Sequence, residues 1–277
     1  MKCWRNRNTW LTGGALAASL FATAAQASTI AYWRMEANTV SGPDLSIVNE
    51  AAGGTPLTNT NPLAPQPSAG LTTDVPVTTV PQTDATNTHS LFPGGSGTKG
   101  VSAASYAGLN LTGSATVEFW VKTPEGLATL VSHSGDSSSG NSHNAATKGF
   151  TIYMESGTLY AKYRLADGQV TLSVASVDFS DWTFVAWTYD QGSGVGKLYL
   201  NGVEQTSNDG LDGQGLVWNS SNRDLWVGEG LDDANGGIDE VRISDVALSP
   251  SQFLNVPEPA TLGLLGAGVI LMLSCRR

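Results

Sequence analysis

Asp239-Glu240 is the nearest approach in this chain to a catalytic carboxylate pair, and its spacing is wrong for the task. Glycoside cleavage needs two carboxylates aimed into one groove, one attacking or activating water and the other donating a proton. On a strand, side chains alternate between faces, so neighbouring acids point apart. A run such as Glu-x-Asp-x-Glu would serve; none occurs. The histidines His89, His133 and His143 sit in dissimilar segments, without a G-x-S-x-G or H-E-x-x-H context. No catalytic constellation emerges, and the expectation is a protein that is not an enzyme.

Binding chemistry is better represented. Calcium takes six to eight hard oxygens, which loops rich in Asp, Asn and Gly can supply. Residues 208–213 (NDGLDG) and 229–237 (EGLDDANGG) have that composition. The second fails as an EF-hand loop, because Leu231 and Arg242 would fall at the first and twelfth positions. Sugars stack on exposed aromatic rings, and the body carries Trp33, Trp120, Trp182, Trp187, Trp218 and Trp226. Trp182 shares a strand face with Phe184 and Ala186, and Trp187 with Val185, so both are expected in the core. Trp120 shares its face with Thr116, Glu118 and Lys122, and Trp218 precedes Asn219-Ser220-Ser221. These two are the candidate glycan-stacking rings.

The elements that would position such residues are strands. Ala115–Lys122 alternates Ala, Val, Phe, Val with Thr, Glu, Trp, Lys. Residues 150–155 and 158–163 alternate likewise, and Ser156-Gly157 joins them as a hairpin. Asp167-Gly168 leads into a strand over 169–176, residues 181–189 are apolar on both faces, and Asn201-Gly202 is a type I′ turn signal. Only 249–254 reads as a short turn of helix. Strands every 8–12 residues predict an all-β sandwich of two antiparallel sheets. Residues 54–88 are Pro/Thr-rich and lack periodicity, so they read as an inserted loop outside the core.

Charge narrows the partners. The chain holds 24 acidic and 14 basic residues; without segments 1–27 and 258–277 the balance is 23 to 9, a net charge of −14. Such a body repels phosphate backbones and anionic lipid, which excludes nucleic acid and leaves cations and neutral glycans. Both cysteines, Cys3 and Cys275, lie in the terminal segments, so the body folds without a disulfide.

The two ends read as addresses. Residues 1–27 combine a basic start, an apolar stretch and Ala25-Gln26-Ala27, a signal peptide that signal peptidase would cut between Ala27 and Ser28. Residues 255–277 carry Pro257-Glu258-Pro259, an apolar stretch over 260–274 and the basic end Arg276-Arg277. At 1.5 Å per residue that stretch makes a helix of about 22 Å, short for spanning a bilayer, and so a transient anchor. This tail resembles the PEP-CTERM sorting signal of Gram-negative bacteria that make extracellular polysaccharide. The resemblance implies recognition by an exosortase, cleavage near Pro257–Pro259, and delivery to the cell surface or a biofilm matrix.

A second resemblance covers residues 28–254. The order SATVEFWVKTPEGLATLVSH, KGFTIYMESGTLYAKYR, DWTFVAWTYD…GKLYLNGVEQ and GGIDEVRISDVALSPSQF is similar to the laminin-G-like branch of the concanavalin A-like lectin/glucanase jelly roll. It implies a concanavalin A-like jelly-roll sandwich that binds carbohydrate. It also implies that Asp239, with Glu36 on the first strand (29–36), helps hold a structural calcium ion. The expected function is a surface or matrix protein that binds extracellular polysaccharide without cleaving it. The alternatives are a structural, adhesive matrix component that binds other surface proteins, and a polysaccharide hydrolase with an atypical site.

Overall fold

The structure, a computed structural model, describes residues 28–36, 45–59, 69–92, 100–105, 107–122, 127–134, 148–208, 213–217, 224–229 and 236–257. The described chain is all-β, as the alternation predicts. Its strands are β1 (Thr29–Trp33), β2 (Ser46–Ile47), β3 (Leu57–Asn59), β4 (Gly70–Thr72), β5 (Thr79–Val80), β6 (Ala85–Thr86), β7 (Ser90–Phe92), β8 (Val101–Ala103) and β9 (Ala115–Lys122). They continue with β10 (Leu127–Ser134), β11 (Gly149–Glu155), β12 (Thr158–Leu165), β13 (Gly168–Val174), β14 (Thr183–Asp190), β15 (Val195–Leu200), β16 (Val203–Asn208), β17 (Leu225–Glu229) and β18 (Gly237–Ser244).

Two antiparallel sheets face each other. The first runs β16-β15-β14-β9-β18-β7-β4, with β1 also paired to β18; the second runs β13-β12-β11-β10-β17-β8-β3-β2. Between them lies a single apolar layer. Trp187 of the first sheet stacks on Phe150 of the second at 5.5 Å and leans on Tyr163 at 5.1 Å. Two turns have the predicted chemistry: Ser156-Gly157 (φ 50° and 76°) joins β11 to β12, and Asn201-Gly202 (φ 50° and 79°) joins β15 to β16. The chain end expected to be helical contains a 3-10 turn at Pro250–Gln252.

The first sheet has a second core on its outer face, which the sequence did not announce. Tyr32, Trp120, Phe184, Ala186 and Tyr199 are covered there by Leu248, Phe253, Leu254 and Val80. Polar residues on that face serve the covering segment. Thr116 Oγ1 donates to the Val246 carbonyl at 2.7 Å and accepts the Leu248 N–H at 2.8 Å. The buried Glu118 carboxylate accepts the Leu254 N–H at 3.0 Å and bonds the Arg242 guanidinium. Val80 belongs to the β5–β6 hairpin, whose Gln82 N–H donates to the Leu254 carbonyl at 3.2 Å. Residues 54–88 therefore depart from the expected loop outside the core. Their described part contributes β3 and β4 to the two sheets, and it buries Leu57, Ala69, Val80 and Asn87. Prolines and threonines hid strands only two or three residues long, too short to show a period.

Candidate functional site

The candidate calcium residues lie beside one another. Glu36 follows β1, where Met35 takes a φ of 58°. Its carboxylate accepts the backbone N–H of Thr88 at 2.6 Å and of His89 at 3.3 Å, plus the Thr88 hydroxyl. Partial burial works against ionisation of Glu36, but these bonds hold its carboxyl below the ordinary value. Asp239, on β18, is buried and accepts Asn87 Nδ2–H at 2.7 Å and the Glu240 N–H at 2.8 Å. Asn87, Thr88 and His89 thus bridge the two acids.

Asp239 and Glu240 do not part to opposite faces as simple alternation required. β18 pairs Asp239 with Trp120 and Arg242 with Glu118, so Glu240 and Val241 together oppose Phe119. This is a β-bulge, and Glu240 takes a φ of 51° to make it. Glu240 receives the Tyr32 hydroxyl and lies 3.4 Å from Arg34 Nε. Burial pushes its carboxyl up to about 7. Burial first, and then the Glu240 charge, push the Asp239 carboxyl well above the usual range.

Asn87 was invisible as a site residue because it lies in the segment read as a loop. Its Oδ1 is buried and has no hydrogen-bond partner. That orphaned oxygen, with the Asp239 and Glu36 carboxylates, makes a hard-oxygen set of the kind calcium takes. Among the described residues no group of three or more His, Cys, Asp or Glu is disposed to hold a metal ion, so further ligands would be carbonyls or water. Loop residues 209–212 and 230–235, also candidates by composition, lie outside the described residues.

Trp120 is not an exposed ring. Only 4% of its surface is accessible, and it packs edge-on against Phe184 at 4.8 Å within the second core. Alternation with Thr116 and Glu118 suggested solvent, but that face is roofed by the chain end. Trp218 lies outside the described residues, as do Ala27, Glu258, Pro259, Arg276, Arg277 and the stretch 260–274. Ser28 is exposed and exchanges two hydrogen bonds with Asp245, and Pro257 is exposed at the end of the described chain. No helix among the described residues is long and apolar enough to cross a membrane.

The outward face of the second sheet is polar, but it is open only towards its two edges: Thr58, Thr171 and Ser173 are exposed and Ser46, Tyr160, Lys162 and Trp226 half-buried, whereas Ser102, Thr129, Ser132, Thr151 and Tyr153 are buried. Strand register aligns Ser46, Thr58, Ser102, Trp226, Ser132, Thr151, Lys162 and Thr171 in one row across all eight strands. The next outward row contains Thr129, Tyr153, Tyr160 and Ser173. Tyr153 and Tyr160 stack at 4.8 Å with 12° between their planes. Burial, with the nearby Glu155 and Tyr160, pushes the Tyr153 hydroxyl up to about 12, so it stays a neutral donor at physiological pH. Accessible hydroxyls, an ammonium and an aromatic face at the β12–β13 end suit a polyhydroxylated ligand. No strand of this sheet has two acids; Glu155 of β11 shares the outward face with Tyr153, and the register sets Glu229 of β17 opposite Thr129.

A model of the concanavalin A-like lectin/glucanase superfamily, of the laminin G type, matches residues 94–253. The chain belongs to that superfamily. A second model, the PEP-CTERM protein-sorting motif, matches residues 255–277. In this superfamily member the motif marks export, processing by an exosortase, and sorting to the cell envelope or surface of a Gram-negative bacterium. Among solved structures it is similar to the binding domain of botulinum neurotoxin serotype G (12% identity, TM-score 0.57, covering 86% of this chain and 51% of that one). It is also similar to the serotype D ligand-binding domain in complex with N-acetylneuraminic acid (14%, 0.55, 81% and 49%). A third is the binding domain of Paraclostridial Mosquitocidal Protein 1 (16%, 0.52, 81% and 50%). At these identities the likeness is one of fold, and the chain spans about half the length of each. No curated protein matches.

Proposed function

We propose that this exosortase-sorted surface protein is a non-catalytic carbohydrate-binding protein of the extracellular matrix, using the outward face of its second sheet. The observation that carries the reading is the accessible β12–β13 end of that face, where Tyr160 and Lys162 stand opposite the exposed Ser173 and Thr171 on strands that carry no acid. Hydrolysis would need two carboxylates in one groove, and binding does not. The serotype D domain, solved with N-acetylneuraminic acid, is a precedent for sugar recognition on a related fold. We further propose a structural calcium ion held by Asp239, Glu36 and Asn87 Oδ1. It would tie the residues after β1 to β18 and stabilise the domain without entering any reaction.

The test is an array of bacterial polysaccharides probed with the full chain, with and without calcium. Binding to at least one polysaccharide, without release of sugar, is the expected result. Silence across the array, including the producer's own polymer, would remove the proposal.

A further inference from the structure

Resting on that carbohydrate-binding reading, we infer that β12 and β13 form the subsite and that it takes a carboxylate-bearing sugar, a uronic acid unit of an acidic polysaccharide. The overall charge points the other way, since the chain is acidic with a net charge of −10. The few cations are not evenly used, however. Among the described residues Arg34, Lys122, Lys197 and Arg242 each pair with a carboxylate. Lys162 and Arg164 form no ion pair, and they stand two residues apart on the outward face of β12.

The surroundings of these two cations make a subsite. Tyr160, Lys162 and Arg164 alternate with the inward Leu159, Ala161, Tyr163 and Leu165. Opposite them on β13 stand the exposed Ser173, Thr171 and Gln169, each directly paired in register. Lys162 Nζ sits 4.8 Å from the Tyr153 ring centroid and 5.9 Å from that of Tyr160, an arrangement that fixes the ammonium without neutralising it. On the strand behind, Thr151 faces Lys162, and beyond it Thr129 faces Tyr153; both threonine hydroxyls are buried without a hydrogen-bond partner.

The patch from Tyr160 to Arg164 is roughly 13 Å long at 3.3 Å per residue. A sugar ring stacked on Tyr160 would place a carboxylate within reach of the Lys162 ammonium and the Arg164 fork. Its hydroxyls would meet Ser173, Thr171 and Gln169. Elsewhere the acidic body repels a polyanion, so attraction is confined to this patch and weakens with added salt.

Calorimetric titration of the full chain with an oligogalacturonate and with a neutral oligoglucan, at one fixed calcium concentration, tests this. The oligogalacturonate is expected to bind more tightly. Lys162→Gln/Arg164→Gln is expected to weaken that binding by about tenfold or more, on the scale of lost charge-assisted contacts. Tyr160→Ala is expected to weaken both sugars. Both substitutions lie at the surface, and an unchanged melting temperature verifies the fold. If only the neutral sugar binds, or uronate binding survives the double substitution, the inference is overturned while carbohydrate binding stands. If neither sugar binds to the protein, both fall.

Discussion

Replacing Arg242 by Met removes the partner of a carboxylate that has no contact with water. Glu118 has no exposed side-chain surface, and burial pushes its carboxyl above the usual range even with the Arg242 charge nearby. In Arg242→Met that charge stays buried and uncompensated, which costs about 3–5 kcal/mol. For a domain of this size each kcal/mol lowers the melting temperature by about 2–4 °C, so the loss is about 6–20 °C. Glu118→Gln in the same chain keeps an acceptor for the Leu254 N–H but removes the charge, and should recover much of the deficit. The sign with pH follows from the raised carboxyl. The folded state of the single variant binds a proton more readily than the unfolded chain, so its stability falls as pH rises above the ordinary glutamate value. Thermal melts at pH 5 and pH 8 read this directly, with a larger deficit at pH 8. A loss below about 1 kcal/mol, or a double variant no better than the single, would refute the buried-pair reasoning.

Calcium at about one hundred times its dissociation constant should add about 2.7 kcal/mol, a rise of about 5–11 °C in melting temperature. Asp239→Asn should abolish the rise, and a wild-type melt indifferent to calcium would end the metal proposal. Val80→Ala removes two buried methyl groups from the second core and should cost about 1–3 kcal/mol in chemical denaturation; a neutral result would place the β5–β6 hairpin outside the cooperative fold.

Much of the fold was legible because long strands carry their own period. Ala115–Lys122, the hairpin around Ser156-Gly157 and the Asn201-Gly202 turn were all read from alternation and turn chemistry. The site was less legible. Alternation says which residues share a face, not whether that face is roofed, so Trp120 read as exposed although the chain end covers it. Adjacency said that Asp239 and Glu240 diverge, but a bulge intervenes, and bulges have no reliable signal outside glycine. Asn87 lies 152 residues from Asp239 in sequence. That Lys162 and Arg164 on β12 stand outside the ion pairs of Arg34, Lys122, Lys197 and Arg242 shows only in three dimensions.

Calorimetric titration of the full chain with the producer's own extracellular polysaccharide tests the central claim most directly, because the heat trace separates binding from turnover. The expected trace is a saturating series of injection heats that returns to baseline after each addition. A flat trace would contradict carbohydrate binding, and a sustained heat after each injection would mean that the polymer is being cleaved.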